Sequence, residues 1–428
     1  MGKWQKIFQG ITDPRKTHLI KYPLSQLLCA GVLLYIFRLG SRREANNKLR
    51  GNGPSATKFE AWFGVQDAPH GDTLNYVFQK IAVNELQEVV CCLAGRLIRK
   101  KFLSKYRLLG MYYLVVIDGT GVLSFRQRHC PHCLTQRLSN GEIRYYHPVL
   151  EAKLVTENGF AISMMTEFIE NADLHGDKQD CELKAFYRLT KRLKARFPRL
   201  PICLLLDGLY AGGPTFQICQ DYNWQFLIVL QDGDLSNVHR SFEYVMHHLP
   251  HNHKQVCLGK EGQINQSYRW ASDIEYRDTK TYLHNLNVLE CREHTSPKQE
   301  KPTKYLWLTN FTLTSYNVDK LANQGGRMRW KIENEGFNVQ KNGGFNLQHP
   351  FSHDENASKV FYLLLQIAHL IVQLIEKGSL LRQFFPKGWG SSKNLAFLLL
   401  ETWRNLRLPI DNLCSFYYGR YQIRFDSS

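Results

Sequence analysis

The sequence predicts a mixed α/β fold with a helical N-terminal region, a mixed sheet flanked by helices, and a β-rich insertion. Three observations carry this prediction. The first hundred residues place apolar side chains at helical spacing. The middle of the chain alternates short all-apolar runs with amphipathic stretches. Residues 231–302 then turn polar, with short alternating apolar segments that read as added strands.

The chain has 428 residues, 43% of them hydrophobic and 12% aromatic. That composition excludes a disordered, collagenous or low-complexity chain and leaves ample side chains for a core. The expected organisation is a helical, DNA-binding or associated region over 1–108, an α/β domain over 109–345 interrupted at about 231–302, and a helical region over 346–428. The formal charge is +17, which points to a polyanionic partner, most commonly nucleic acid. The longest apolar runs, 24–37 and 360–375, fall short of the ~20 residues of a bilayer span. The N-terminus lacks the pattern of a secretory signal, and the 11 cysteines read as reduced thiols of a cytosolic protein.

In chain order, residues 24–39 read as an apolar helix and 73–99 as an amphipathic one. Six cations close that region over 96–107, and Arg99, Lys100 and Lys101 form a candidate DNA-facing stripe. Residues 112–117 are a buried strand by their aromatic and β-branched content, ending at Asp118-Gly-Thr-Gly121. Strands over 148–156 and 160–169 follow, joined at Asn158-Gly159, a strong hairpin turn signal. Residues 177–197 form a helix stopped by Pro198, and its basic face includes Arg192, a second candidate for DNA contact. The all-apolar strand 202–206 ends in Asp207-Gly208. A short helix (214–222), a strand (224–230), the insertion and a core strand (305–311) precede helices over 318–341, 357–377 and 393–406. This order is that of a mixed sheet of RNase H type.

A carboxylate at the end of a sheet strand occupies the usual place of an α/β active site. Most Asp-Gly pairs merely begin a turn, but two of them, each after an apolar strand, single out Asp118 and Asp207. The third element is the 327–341 segment. On a regular helix Arg329 and Glu333 share a face, and Lys341 continues roughly along it, so phosphate and metal could be bound together. Glu335 lies about 200° around such a helix from Glu333, so the two cannot serve one site.

Asp118, Asp207, the β-rich insertion and Arg329-x3-Glu333 together resemble the DDE transposases of the IS4 type. The wording Arg329-Trp-Lys-Ile-Glu333-Asn is similar to that family's helix, as are Asp13-Pro-Arg15 and His70-Gly-Asp-Thr-Leu74 to its N-terminal region. The resemblance covers about residues 13–345. Two positions depart from the family pattern: Gly326 stands where a tyrosine is usual, and Gln340 occupies the lysine position, with Lys341 one residue later. The resemblance implies metal-dependent cleavage at insertion-sequence ends and strand transfer into target DNA. It also implies a homodimer holding two ends, acting in the bacterial cytoplasm on the nucleoid.

Three converging carboxylates, Asp118, Asp207 and Glu333, would offer hard oxygen ligands to two Mg²⁺ or Mn²⁺ ions. Arg329 and Lys341 would hold neighbouring phosphates. Two rival functions share the fold: a DNA nuclease without strand transfer, and a domesticated transposase kept as a DNA-binding protein. The remaining motifs are weaker. Cys130-x2-Cys133 has His129, His132 and His147 nearby, but zinc sites ordinarily draw on a second pair at defined spacing, so 126–133 reads as a basic loop beside the active site. Trp307 and Trp330 read as core residues. The glycines after Asp207 match neither a P-loop nor a dinucleotide fingerprint.

Overall fold

The computed structural model describes residues 3–172, 179–231, 233–259, 264–278, 282–296, 299–379, 381, 385 and 387–419. Among the described residues, ten strands form one mixed sheet: β1 (Tyr113–Phe125), β2 (Leu134–Arg137), β3 (Ile143–Val155), β4 (Ala161–Phe168), β5 (Ile202–Leu206), β6 (Gln225–Val229), β7 (His253–Leu258), β8 (Ile264–Arg277), β9 (Leu283–His294) and β10 (Thr303–Thr309). The order is β2-β3-β1-β5-β6-β10-β9-β8-β7, with β4 also paired to β3. β1, β5 and β6 are parallel, and every other pairing is antiparallel. The α/β class expected from the alternation of elements is therefore the class observed.

The helices in chain order are α1 (Lys3–Ile7), α2 (Leu24–Ile36), α3 (Arg42–Leu49), α4 (Pro54–Phe63), α5 (Gly71–Phe78), α6 (Val83–Arg99), α7 (Glu182–Arg196), α8 (Gly213–Tyr222), α9 (Ser236–His248), α10 (Val318–Lys320), α11 (Asn338–Asn342), α12 (Glu355–Lys377), α13 (Ser392–Asn405) and α14 (Ile410–Tyr418). Three expectations need correcting. The 73–99 pattern is two helices, α5 and α6, because the chain breaks over 79–82. The 177–197 helix begins at Glu182, and residues 173–178 lie outside the described residues. The β-rich insertion opens with a helix, α9, before its strands β7–β9, which extend the central sheet beyond β10.

Residues from the two ends of the chain share one apolar core, in which α2, α5 and α6 pack on α12. Asp354 caps α12 by accepting from the Ala357 N–H. With 23 residues, α12 outruns the apolar stretch seen in the sequence and is long and apolar enough to cross a membrane. It is 72% buried inside the protein over that window, so it serves as the central core helix.

Strand alternation sorts the sheet into two faces. Val115, Ile117, Leu204 and Leu206 face α7, sharing a core with Ala185, Phe186 and Leu189. Leu114, Val116, Cys203 and Leu205 face the other way, packing with Met328, Ile332 and Phe337 of the 318–342 segment. The period of two places Asp118 and Asp207 on this second face.

Candidate active site

Asp118 does not end its strand. β1 continues to Phe125 because β3 pairs with it throughout, matching Asp118 to Glu151 and Phe125 to Tyr145 across a bulge between Gly121 and Leu123. What ends near Asp118 is the parallel partner: the β1–β5 register stops at Val116↔Leu205. Asp118 and Asp207 are each two residues past that last pair, so they are neighbours where β1 outruns β5. Asp207 follows β5 directly, and its side chain accepts from the Leu209 N–H at 3.0 Å.

Neither glycine of the two Asp-Gly pairs has a positive φ. Both are needed for close approach instead. A Cβ on Gly119 would lie 2.6 Å from Glu182 Oε2, and one on Gly208 would collide with the Asp234 carboxylate. Each motif thus pairs a strand-borne aspartate with a glycine that admits a second acid from another element. Glu182 is the residue the sequence did not reveal, since an acid in the first turn of a helix is unremarkable. The Tyr210 hydroxyl donates to Glu182 Oε1 at 2.5 Å and holds it toward the site.

Burial pushes the Asp118 carboxyl up to about 6, opposed by Arg329 and aided by the negative charges of Asp207 and Glu182. Burial likewise raises Glu182, with Asp207 adding to the shift. Asp207 and Glu182 act on the Asp118 carboxyl through their charge, and the Arg329 guanidinium reaches Asp118 at 3.3 Å. Glu151, directly across from Asp118, is spoken for. It is buried against Lys153 at 3.2 Å and accepts from Ser163, Thr166 and Tyr362, so its charge is balanced inside the core.

The 318–342 segment is not one regular helix. Gly326–Trp330 is a 3₁₀ turn, Ile332–Phe337 a π-helical turn, and Asn338–Asn342 α-helical. The tight turn buries Arg329, whose Nε has no partner among the described residues, and the wider i→i+5 turn then shifts the helical phase. Glu333 is half-exposed, and Lys341 Nζ lies 3.9 Å from its Oε1. Lys341 thus meets Glu333 despite its eight-residue separation, which a regular helix would have made awkward. Glu335 points elsewhere, toward Lys331 at 3.7 Å and the β3–β4 turn at Gly159. Arg329 is ion-paired to Asp118, Asp207 and Glu182 act on Asp118 through their charge, and Glu333 stands one turn beyond Arg329 on a segment packed against β1 and β4.

Trp307 is buried, as expected, whereas Trp330 is 53% exposed with the Arg329 guanidinium over its ring, a correction to its reading as core. The 3₁₀ turn directs Trp330 outward while Met328 and Arg329 go in. Arg99, Lys100 and Lys101 are exposed at the end of α6. Arg192 is engaged with Glu167 at 2.6 Å, and Arg188 bridges Glu167 and Asp180, so part of the basic charge of α7 is balanced within the protein. The chain matches no known family model and no curated protein.

Proposed function

We propose that this protein is a DNA transposase of the IS4 type, cutting DNA at insertion-sequence ends and joining them to target DNA. One observation carries the reading: Asp118 and Asp207 stand side by side where β1 outruns β5, with Arg329 of the Glu333-bearing segment ion-paired to Asp118. Hard carboxylate oxygens at neighbouring sheet positions, with a guanidinium beside one of them, suit divalent cations such as Mg²⁺ or Mn²⁺. Asp118, Asp207 and Glu333 would hold them, and Glu182 is a fourth acid within reach of the same charge. Bound cations supply Lewis acidity at the scissile phosphate and lower the pKa of the attacking water or 3′-hydroxyl.

The protein's own residues then divide the remaining work. Tyr210 keeps Glu182 oriented. Arg329 steadies Asp118, and its unpartnered buried Nε is a donor awaiting an acceptor, which a DNA phosphate oxygen would provide. Lys341 offers a second cation next to Glu333. The exposed cations at the end of α6 and the net charge of +17 favour double-stranded DNA, both terminal repeats and target. Bringing two ends together favours a homodimer, and the setting would be the bacterial cytoplasm and nucleoid.

The test is cleavage of DNA carrying the inverted repeats that flank the coding region, with Mg²⁺. Wild-type protein should nick or excise at the repeat ends and Asp118→Ala should not. Equal cutting by the variant would sink the assignment. Cutting without any need for repeat ends would favour the nuclease reading, and binding to repeats without cutting would favour the DNA-binding one.

A further inference from the structure

A second cluster stands apart from the acids. In the loop between β1 and β2, Cys130 and Cys133 form a tight knuckle: the Cys133 N–H donates to the Cys130 carbonyl, and the Cys130 N–H to the Cys133 sulfur at 3.4 Å. The sequence shows no second pair at a defined zinc spacing, but the fold brings a histidine from another strand to the two sulfurs. His147, on β3 opposite Leu123, puts its Nε2 at 3.4 Å from Cys130 Sγ and 3.2 Å from Cys133 Sγ. The two sulfurs are 3.6 Å apart, too far for a disulfide. Tetrahedral zinc with Zn–S of about 2.3 Å and Zn–N of about 2.0 Å requires ligand–ligand edges of roughly 3.3–3.8 Å, and these separations are close to them.

The fourth ligand is His129 rather than His132. His132 Nδ1 donates to the Asn171 carbonyl at 2.7 Å, outside the cluster. His129 Nε2 lies 2.5 Å from the His353 carbonyl, which can only accept, so Nε2 carries the proton and Nδ1 keeps its lone pair. That Nδ1 is buried with no hydrogen-bond partner among the described residues. A ligating histidine typically has its other nitrogen fixed by a carbonyl in this way. Ligand atoms of His129, Cys130, Cys133 and His147 all lie within 4.8 Å of one another.

We propose that these four residues bind one zinc ion in a closed, structural site. Soft sulfur and imidazole donors select zinc over Mg²⁺, and four protein ligands leave no open position for catalysis. Binding releases the two thiol protons to solvent, and the paired thiolates neutralise the ion. The ion fastens the 126–133 loop to β3 and, through His353, to the chain entering α12. It sits four residues along β3 from Glu151, the partner of Asp118, or about 13 Å away. It therefore braces the far end of the β1–β3 pair without joining the acids.

Full-length protein purified under reducing conditions without chelator should carry about one zinc per chain by elemental analysis. Exchange with Co²⁺ should give the red d–d bands of a tetrahedral site and a thiolate-to-cobalt charge-transfer band. Cys133→Ser and His147→Gln should each weaken zinc at least about tenfold, the smallest loss expected even from changes outside the ligand set. Should a variant fail to fold, the wild-type cobalt spectrum decides alone. Absence of stoichiometric zinc, a cobalt spectrum without thiolate charge transfer, or a Cys130–Cys133 disulfide in the reduced preparation would each overturn the proposal. None of these readouts depends on DNA cleavage.

Discussion

The β1–β3 pair carries two clusters of opposite chemistry a few residues apart. At Asp118 the donors are carboxylate oxygens from separate elements, and burial, with the charges of Asp207 and Glu182 adding to it, pushes that carboxyl up to about 6. At His147 they are sulfur and nitrogen, drawn from one tight loop and one strand, with the imidazole of His129 pinned by a backbone carbonyl. The difference teaches how ligand softness and charge sort roles on one scaffold. An oxygen site built from separate elements can open to solvent and substrate, whereas a compact sulfur–nitrogen site closes around its ion.

The comparison can be broken in several ways. The largest effect is expected from Asp207→Ala, which should reduce Mg²⁺-dependent cleavage by about 10³-fold or more while zinc content stays at one per chain. Loss of zinc in that variant, measured by elemental analysis, would mean that the clusters are not independent. Next is the third acid. Glu333→Gln should cost about 10²-fold in cleavage and Glu182→Gln nearer tenfold; the reverse order would make Glu182 the third ligand. Gly119→Ala tests the same point without deleting a charge. Its new methyl must push the Glu182 carboxylate aside, and a loss of a few fold in Mn²⁺ affinity, read by titration, is expected.

The smallest effect concerns pH. A divalent cation needs the ionised Asp118 carboxylate, and the proton competes for it. Because that carboxyl is raised to about 6, Mn²⁺ affinity should fall as pH drops below about 6, by up to about tenfold per unit. In Asp118→Asn, where the competing proton is gone, the dependence in this range should flatten.

Much of the fold was legible locally. The apolar runs at 112–117 and 202–206, the Asn158-Gly159 turn and the helix end at Pro198 each depend on contacts within a few residues, so composition and periodicity reveal them. The Asp-Gly pairs were also visible, but their meaning was not. Glycine after aspartate reads as a turn, and only the packing of Glu182 and Asp234 against Gly119 and Gly208 explains it. Likewise, a regular helix was the natural reading of 327–341. The insertion of Arg329 against Asp118 and the outward Trp330 accompany a mixture of 3₁₀ and π turns that no local propensity signals.

By itself, then, the sequence determined the mixed α/β class, the two strand-borne aspartates and the basic character of the chain, because strand content, helical period and net charge are local or additive properties. Tertiary structure alone decided that Arg329 pairs with Asp118 and which acids act on it through their charge, that Glu151 is a balanced core residue, and that His147 faces the Cys130–Cys133 knuckle. Those are contacts between strands and helices far apart in the chain, and strand register with helix packing, not residue spacing, sets which of them meet.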